Sequence, residues 1–418
     1  MLGGRGQLRT AATRAGACGD ERGLVANPEK RVPGIDVLRG LCIVAVVLHH
    51  VNLRIRFSES GPGKWIGHTA NLAFFWNGSY GVRVFFVISG FLIAGWSIKR
   101  WGELKKIELR QFYLLRFARI APCLAGLLLI LTALDLAGVP RFTINPQHTT
   151  LGRAILAAAT FHINWLEART GYLPAAWDVL WSLSVEEVFY LFFPLLCTVL
   201  RRQSLLIAVL CGFIVAGPFA RVHAWNEIWS DYGYLCCMDG IAIGCLAAIV
   251  AARFRFGDGV NRALLASGAL MALLITVFRG TAERIGFYKV GLDDTVLEIG
   301  IALVLIALQQ RFERNAASAK PAKPRWLAFA AWPSGVLRWF GRDSYEVYLT
   351  HMFAVWPMAI AFRGFGLSTN LEAPWFLGTA AIAGVLGYCV ARYCSEPLNR
   401  ALRVRFMPER AKRATDGA

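Results

Sequence analysis

Residues 181–196 read WSLSVEEVFYLFFPLL, an apolar run that contains two adjacent glutamates, Glu186 and Glu187. Extended to residue 200, the run reaches the ~20 residues that a helix needs to cross a bilayer. A charge at membrane depth costs ~2.5 kcal/mol or more, so ionisable residues there face the protein interior or a water-filled cavity. The stretch therefore predicts a membrane helix with an acidic site on its interior face.

The same apolar character continues along the 418 residues, of which 56% are hydrophobic and only 17% are charged. Soluble domains carry roughly 25% charged residues. Ten segments have the length and composition of membrane helices: 36–53, 79–98, 112–138, 181–200, 204–220, 234–251, 261–278, 293–310, 343–363 and 374–394. The apolar patch 151–163 is shorter and is expected to form a re-entrant or interfacial helix. We predict an all-α polytopic membrane bundle of about ten transmembrane helices.

The net charge is +18, and the lysines and arginines lie mainly in the short loops and tails between the predicted spans. With ten spans, the most basic segments all lie on one side, as the positive-inside rule requires. That side is therefore predicted to be cytoplasmic and to hold both termini, in a tail over 1–31 and a tail over 401–418 around a transmembrane domain over 32–400. No zinc finger, phosphate-binding loop or RNA-binding signature is present, so no nucleic acid partner is expected.

The first predicted span, GIDVLRGLCIVAVVLHHVN, places Arg39 and His50 eleven residues apart. Eleven residues make three helical turns plus ~20°, so both side chains point to one face, ~16 Å apart along the axis. Asp36 lies one turn before Arg39, at a spacing that allows pairing. Charges on one face of a membrane helix favour an interior site. The alternative is an interfacial arginine that reaches the headgroups and a histidine at the opposite headgroup layer.

The third span begins ELRQFYLLRFARIAPC, where Arg116 and Arg119 are neighbours on the helix surface. Two guanidinium groups at the cytoplasmic end are suited to bidentate contacts with phosphates. The competing interpretation is that they are topological anchors. In the second span, Ser89 precedes Gly90 in mid-membrane, which indicates close helix packing or a local break.

His50 and Glu186 fall at a similar depth near the outer side of their spans. A carboxylate beside an imidazole fixes its tautomer and raises its basicity, which suits a general base. The alternative is a buried structural pair, or glutamates that remain among the headgroups. His351 in DSYEVYLTHMFAVWP is a further intramembrane histidine, with either a direct role or a structural one. No cluster has the spacing of metal ligands, so no metal is expected.

Taken together, the motifs resemble the acyltransferase-3 family of integral membrane O-acyltransferases, which modify bacterial surface polysaccharides. The resemblance runs from about Gly34 to Arg400 and is carried by six segments in the family's order: IDVLRG with the later His50, GVRVFFVISGFLI, FYLLRFARIAP, WSLSVEEVFYLFFPL, SYEVYLTH and SEPLNR.

The resemblance implies acyl transfer from a cytoplasmic acyl-CoA, expected to be acetyl-CoA, to a hydroxyl of a carbohydrate acceptor. It makes acyl-CoA a co-substrate and implies no permanently bound cofactor. His50 matches the family's essential histidine, Arg39 the arginine before it, and Arg116 with Arg119 the arginine pair linked to CoA. Glu186 matches the more constant glutamate of the WSL motif, with Glu187 the less constant one.

The resemblance implies a site in the bacterial inner membrane. Asp36, Glu187, Ser89 and His351 are expected to support the substrates or the catalytic residues. Many members carry an additional C-terminal extracytoplasmic domain. This sequence ends soon after its last span, so transfer is expected within the membrane domain or with a partner protein. An acyl-histidine intermediate, the acyl group, the acceptor and the oligomeric state are left open. The competing function is a transporter or flippase for a lipid-linked sugar.

Overall fold

The computed structural model describes residues 31–317, 332–366 and 371–406, and over these ranges the chain is helical, without strands. The predicted tails lie almost entirely outside the described residues. Nineteen helices are present in the described ranges: α1 Pro33–Asn52, α2 Gly61–Asn71, α3 Tyr80–Trp101, α4 Leu109–Leu136, α5 Leu151–Ala159, α6 Ile163–Thr170, α7 Ala175–Asp178, α8 Leu180–Leu200, α9 Gln203–Val222, α10 Glu227–Tyr232, α11 Tyr234–Arg253, α12 Asp258–Thr276, α13 Arg279–Ile285, α14 Asp293–Ala317, α15 Trp332–Arg342, α16 Ser344–Thr350, α17 Met352–Gly364, α18 Glu372–Val390 and α19 Glu396–Phe406.

Nine helical stretches of the described chain are long and apolar enough to cross a membrane. They correspond to nine of the ten predicted spans and confirm a polytopic helical membrane protein. The remaining predicted span, 343–363, is instead two short helices, α16 and α17, which meet at His351. The patch 151–163 contains only the nine-residue helix α5, which at 1.5 Å per residue is too short to span a bilayer.

Helix α11 lies at the centre of one half of the bundle, packed against α3, α9 and α14. Its contact with α3 is close because glycines face backbone on both sides. A Cβ added at Gly90 would lie 2.0 Å from the carbonyl oxygen of Ile241, and one at Gly244 would lie 2.1 Å from that of Val87. Helix α3 is continuous through this point, so the Ser89–Gly90 pair marks close packing and not a break.

A buried charge network crosses the same half of the bundle. Arg221 at the end of α9 holds Asp239 of α11 through two hydrogen bonds of 3.1 and 2.9 Å. Arg83 of α3 lies 3.0 Å from Asp294 of α14, and each of these four residues is at most 8% exposed. Arg83 is thus buried and paired, although it lies near the outer end of the second predicted span. Buried charges persist only when they are paired, and this network joins four membrane helices.

The other half is organised around α1. Helix α15 packs on the start of α1, where a Cβ at Gly341 would lie 1.8 Å from the carbonyl oxygen of Asp36. Helix α16 follows directly and runs beside α1 toward its end. The nine described cysteines are all free, and most of them are buried.

Candidate functional site

The predicted site residues gather around the segment 344–351, which lies inside the bundle between α1, α4 and α8. Glu346 is 1% exposed and His351 is 0% exposed. One end of this segment faces the beginning of α1, hereafter the arginine end. The other end faces the last turn of α1, hereafter the histidine end. The site is therefore an elongated arrangement that follows α1.

At the arginine end, Arg119 of α4 forms a bidentate pair with Glu346. Its Nη1 lies 2.9 Å from Oε1 and its Nη2 lies 3.4 Å from Oε2. The guanidinium also lies 5.1 Å from the ring centroid of Tyr345. Sequence reasoning missed Glu346, although a glutamate inside the apolar segment SYEVYLTH is the same signal that singled out Glu186.

Further guanidinium groups surround this pair. The charge of Arg39 acts on Arg119 and Arg31, and that of Arg403 in α19 acts on Arg119. Arg39 has no ion-pair partner within 4 Å among the described residues, so the expected contact with Asp36 does not form, although the Asp36 charge still acts on it. Arg39 and Arg403 thus have no ion pair within 4 Å in the described chain, which favours an anionic ligand at the arginine end. Arg403 was missed because it lies beyond the last predicted span.

Arg116, the second predicted arginine, lies deeper along α4. Its guanidinium is 3.8 Å from the ring centroid of Tyr190, and its Nη2 is 3.7 Å from Oε1 of Glu187. The hydroxyl of Tyr190 donates to Oε2 of Glu186 at 3.3 Å. Ser89 of α3 interacts with the same carboxylate. Arg116 and Arg119 are therefore brought together on one side of the bundle, but each already has a glutamate partner.

At the histidine end, His50 contacts His351. Nδ1 of His50 lies 2.9 Å from the carbonyl oxygen of Val46 and 3.3 Å from Nε2 of His351. Nδ1 of His351 lies 2.6 Å from the carbonyl oxygen of Tyr348. Because a carbonyl oxygen only accepts, each imidazole carries its proton on Nδ1. Nε2 of a neutral His50 is then unprotonated, and its half-buried ring can receive a proton from a reactant.

The structure does not bring Glu186 into contact with His50. The carboxylate of Glu186 is engaged with Tyr190 and Ser89, and the ring of His50 is oriented by Val46 and His351. Glu186 belongs to the charge cluster around Arg116. Depth along a helix was inferable from the sequence, whereas the rotation of α8 about its axis was not.

Tyr348 connects the two ends of the site. Its hydroxyl donates to the carbonyl oxygen of Val179 at 3.0 Å and accepts from Ser182 Oγ at 2.8 Å. These bonds fix α16 to the start of α8. They also hold in place the Tyr348 carbonyl oxygen, which accepts the hydrogen bond from Nδ1 of His351. The expectation that His351 supports the site thus acquires a defined geometry.

A cavity of about 630 Å³ opens one turn beyond His50. Its lining combines charged and aromatic side chains, including Arg54, Arg141, Asp178, Tyr172 and Trp356. Such a mixture is typical of small-ligand sites, whose volumes run from ~300 to 1,000 Å³. In the described part of the chain, no group of three or more histidine, cysteine or acidic side chains is arranged to hold a metal ion.

Comparison with known proteins identifies the family. A family model described as an acyltransferase domain matches residues 32–393. The chain belongs to the acyltransferase-3 family. This confirms the resemblance carried by the six sequence motifs. The structure gives defined neighbours to three residues that match motifs of the acyltransferase-3 family, His50, Arg39 and Glu186. Their roles stay predictions.

Two relatives of this acyltransferase-3 chain are bacterial O-acetyltransferases. It is 22% identical over 401 residues to the O-acetyltransferase OatA of Staphylococcus aureus, covering 88% of this chain and 57% of the relative. It is 26% identical over 344 residues to the peptidoglycan O-acetyltransferase OatA of Listeria monocytogenes, covering 77% and 49%. The chain thus spans about half the length of these curated relatives. No solved structure matches it. The comparisons give no support to the transporter alternative.

Proposed function

We propose that this chain is a membrane O-acyltransferase that moves an acyl group, with acetyl the first candidate, from acyl-CoA to a hydroxyl of a carbohydrate acceptor. The observation that carries the proposal is the pair of contacts that His50 Nδ1 makes with Val46 and His351. A proton held on Nδ1 by Val46 and His351 leaves Nε2 as the basic nitrogen. A fixed, half-buried imidazole base suits the activation of an acceptor hydroxyl.

In the proposed reaction, Nε2 of His50 removes the proton of the acceptor hydroxyl as its oxygen attacks the thioester carbonyl carbon. The tetrahedral intermediate collapses and the carbon–sulfur bond breaks. The CoA thiolate leaves and takes the proton from the His50 imidazolium. The products are an O-acyl ester and free CoA, and His50 returns to its neutral form.

The donor is proposed to enter at the arginine end. CoA carries several phosphates, and the guanidinium groups of Arg39, Arg119 and Arg403 lie near one another there, with Arg39 and Arg403 free of an ion pair in the described chain. The acyl-pantetheine arm would follow α1, along which Arg39 and His50 are ~16 Å apart. We place the arginine end in the cytoplasm and the chain in a bacterial cytoplasmic membrane, on the basis of the basic segments and the relatives' bacterial origin.

The proposal is tested by supplying the purified protein with acetyl-CoA and a glycan extract of its host. Release of free CoA thiol together with a glycan mass increase of one acetyl group is the expected result. Thiol release without glycan acetylation would contradict the acceptor assignment. Absence of both, in protein that coenzyme A protects against heat, would contradict the reaction.

His351 is expected to act as a positioning residue. The variant His351→Ala removes the acceptor that shares the Nδ1 proton of His50, and loss of one such hydrogen bond corresponds to about 1–2 kcal/mol. We therefore expect the turnover number to fall about 5- to 30-fold at an unchanged KM for acetyl-CoA. His351→Gln restores an acceptor and should recover part of the loss. A purely structural role would instead lower the amount of folded protein and leave the turnover number of the remainder unchanged.

Arg119 can be tested without leaving a buried charge unpaired. The double variant Arg119→Gln/Glu346→Gln removes both partners of the ion pair and keeps their size. Because a cation near the CoA phosphates is lost, we expect the KM for acetyl-CoA to rise about tenfold, as for one charge-assisted hydrogen bond. The acceptor KM should not change. Glu103, exposed and paired with Lys105, provides the matched control in Glu103→Gln/Lys105→Gln. Equal effects of the two double variants would contradict the donor assignment.

A further inference from the structure

The cavity beyond the histidine end has an unusual arrangement of positive charge. The guanidinium of Arg54 lies 4.6 Å and that of Arg141 lies 5.1 Å from the ring centroid of the same residue, Trp356. Neither guanidinium has an ion pair with a carboxylate in the described part of the chain. Bringing two like charges together in a partly desolvated cleft is unfavourable unless an anion joins them.

The acidic residue of the cavity, Asp178, acts on Arg54 through its charge, but it forms no ion pair within 4 Å with either arginine in the described chain. Asp178 accepts a hydrogen bond from the Tyr232 hydroxyl at 3.2 Å and lies beside the buried carboxyl group of Glu167. Burial, together with the charge of Asp178, raises the pKa of Glu167 well above its usual range. The single carboxylate Asp178 balances only one of the two guanidinium charges, which leaves a net charge of about +1 in the lining.

Two buried donors beside the cavity have no acceptor in the described chain. Arg54 Nη1 donates to the carbonyl oxygen of His50 at 3.1 Å, while its buried Nε has no acceptor among the described residues. Trp356 Nε1 is a second buried donor without an acceptor in the described chain. Burial lowers the pKa of Arg54 to about 10, with the charge of Asp178 raising it and that of Arg141 lowering it, so Arg54 stays charged at neutral pH.

Arg141 has a backbone φ of +75°, in the left-handed region that costs a non-glycine residue about 1–3 kcal/mol. Such strain persists where the surroundings over-determine the conformation, and here it accompanies a guanidinium at the Trp356 ring. The remaining lining supplies aromatic surface. Tyr172 and Tyr232 pack edge to face with centroids 6.0 Å apart, and aromatic rings of this kind offer flat apolar faces with a polar edge.

We propose that this cavity is the acceptor site of the acyl transfer and that it selects a saccharide carrying an oxyanion, a carboxylate or phosphate, beside the acylated sugar. The inference rests on the proposed function and names its substrate class. Aromatic faces receive the sugar ring, and the guanidinium groups of Arg54 and Arg141 receive the oxyanion through the bidentate geometry that arginine favours. Because Arg54 follows His50 by one helical turn and bonds its backbone carbonyl oxygen, the cavity adjoins the last turn of α1.

The test measures binding of two tetrasaccharides to the full-length protein in detergent by calorimetry. One is the hyaluronan tetrasaccharide, which carries glucuronate, and the other is neutral chitotetraose. We expect the acidic tetrasaccharide to bind at least about tenfold more tightly at low salt. In the Arg141→Gln variant, the ratio of the affinity for the acidic tetrasaccharide to that for the neutral one should fall to about threefold or less. Arg153→Gln, which removes an exposed arginine of the neighbouring helix α5, should keep the full ratio.

A measurement on the unchanged protein makes the test independent of folding. Raising the salt from 50 to 500 mM should narrow the difference between the two ligands, since screening weakens exposed charge interactions. N-acetylglucosamine 6-phosphate against N-acetylglucosamine shows whether phosphate replaces carboxylate. The inference would be overturned if the two tetrasaccharides bound equally well or if neither bound. It would also be overturned if the Arg141→Gln variant kept the full preference for the acidic tetrasaccharide.

The two proposals fail separately. His50→Ala should abolish acyl transfer and retain the preference for the acidic tetrasaccharide. Acyl transfer without any such preference would overturn only the acceptor inference. A clear preference in a protein that releases no CoA thiol would overturn only the proposed reaction.

Discussion

Replacing His50 with alanine is expected to lower the turnover number for acyl transfer by about 10²- to 10⁴-fold, the range that a positioned general base contributes. The reason is that Nε2 of His50 is unprotonated, whereas the unprotonated Nε2 of His351 already accepts the Nδ1–H of His50. The KM for acetyl-CoA should stay within about threefold, because the phosphates are proposed to bind ~16 Å away. Steady-state release of CoA thiol with a carbohydrate acceptor gives both quantities.

His49→Ala is the matched control, since it removes an imidazole from the adjacent position of the same helix. Nδ1 of His49 is bonded to the carbonyl oxygen of Phe75 at 3.1 Å, and not to His351. We expect it to retain at least about a third of the activity. Equal losses in the two variants would show that the end of α1, and not a particular base, is what the reaction requires.

Replacing Asp239 with alanine is expected to destabilise the protein by about 3–5 kcal/mol, the penalty for leaving one partner of a buried ion pair uncompensated. Arg221 is 8% exposed and loses two hydrogen bonds to the carboxylate in this variant. Thermal unfolding of the protein in detergent, followed by tryptophan fluorescence, measures the loss.

The double variant Arg221→Met/Asp239→Leu separates charge from packing. Exchange of a buried ion pair for apolar residues of similar volume is often close to neutral, so the double variant should be more stable than Asp239→Ala. A double variant that is at least as unstable as the single one would show that the network contributes through its bonds to Gly291 and Thr295, and not mainly through charge.

The fold was largely predictable from the sequence because membrane helices can be identified by their length and apolar composition. Nine of the ten spans were located to within a few residues. The exception is the segment 343–363, whose apolar length suits one span but which is broken at His351. A break of this kind depends on partners from other helices, here His50 and the start of α8, that a single sequence does not reveal.

The interior position of the candidate residues was easier to predict than their pairing. His50, Arg39 and Arg116 stood out as ionisable groups in apolar surroundings, and the structure places each inside the bundle. The predicted His50–Glu186 contact failed because helical spacing fixes depth and relative angle within one helix, but not the rotation of one helix against another. The pairing of Arg83 is unreadable from the sequence for the same reason, since its partner Asp294 lies 211 positions further along the chain.

The central claim is that the acyl group enters at the arginine end on the cytoplasmic side and leaves at the histidine end on the other. Sealed inverted and right-side-out membrane vesicles that contain the protein, each given labelled acetyl-CoA from outside, test it directly. We predict labelled glycan in inverted vesicles, little in right-side-out vesicles until detergent opens them, and none in either for His50→Ala. Equal labelling of both sealed preparations, or labelling by the His50→Ala variant, would contradict the account.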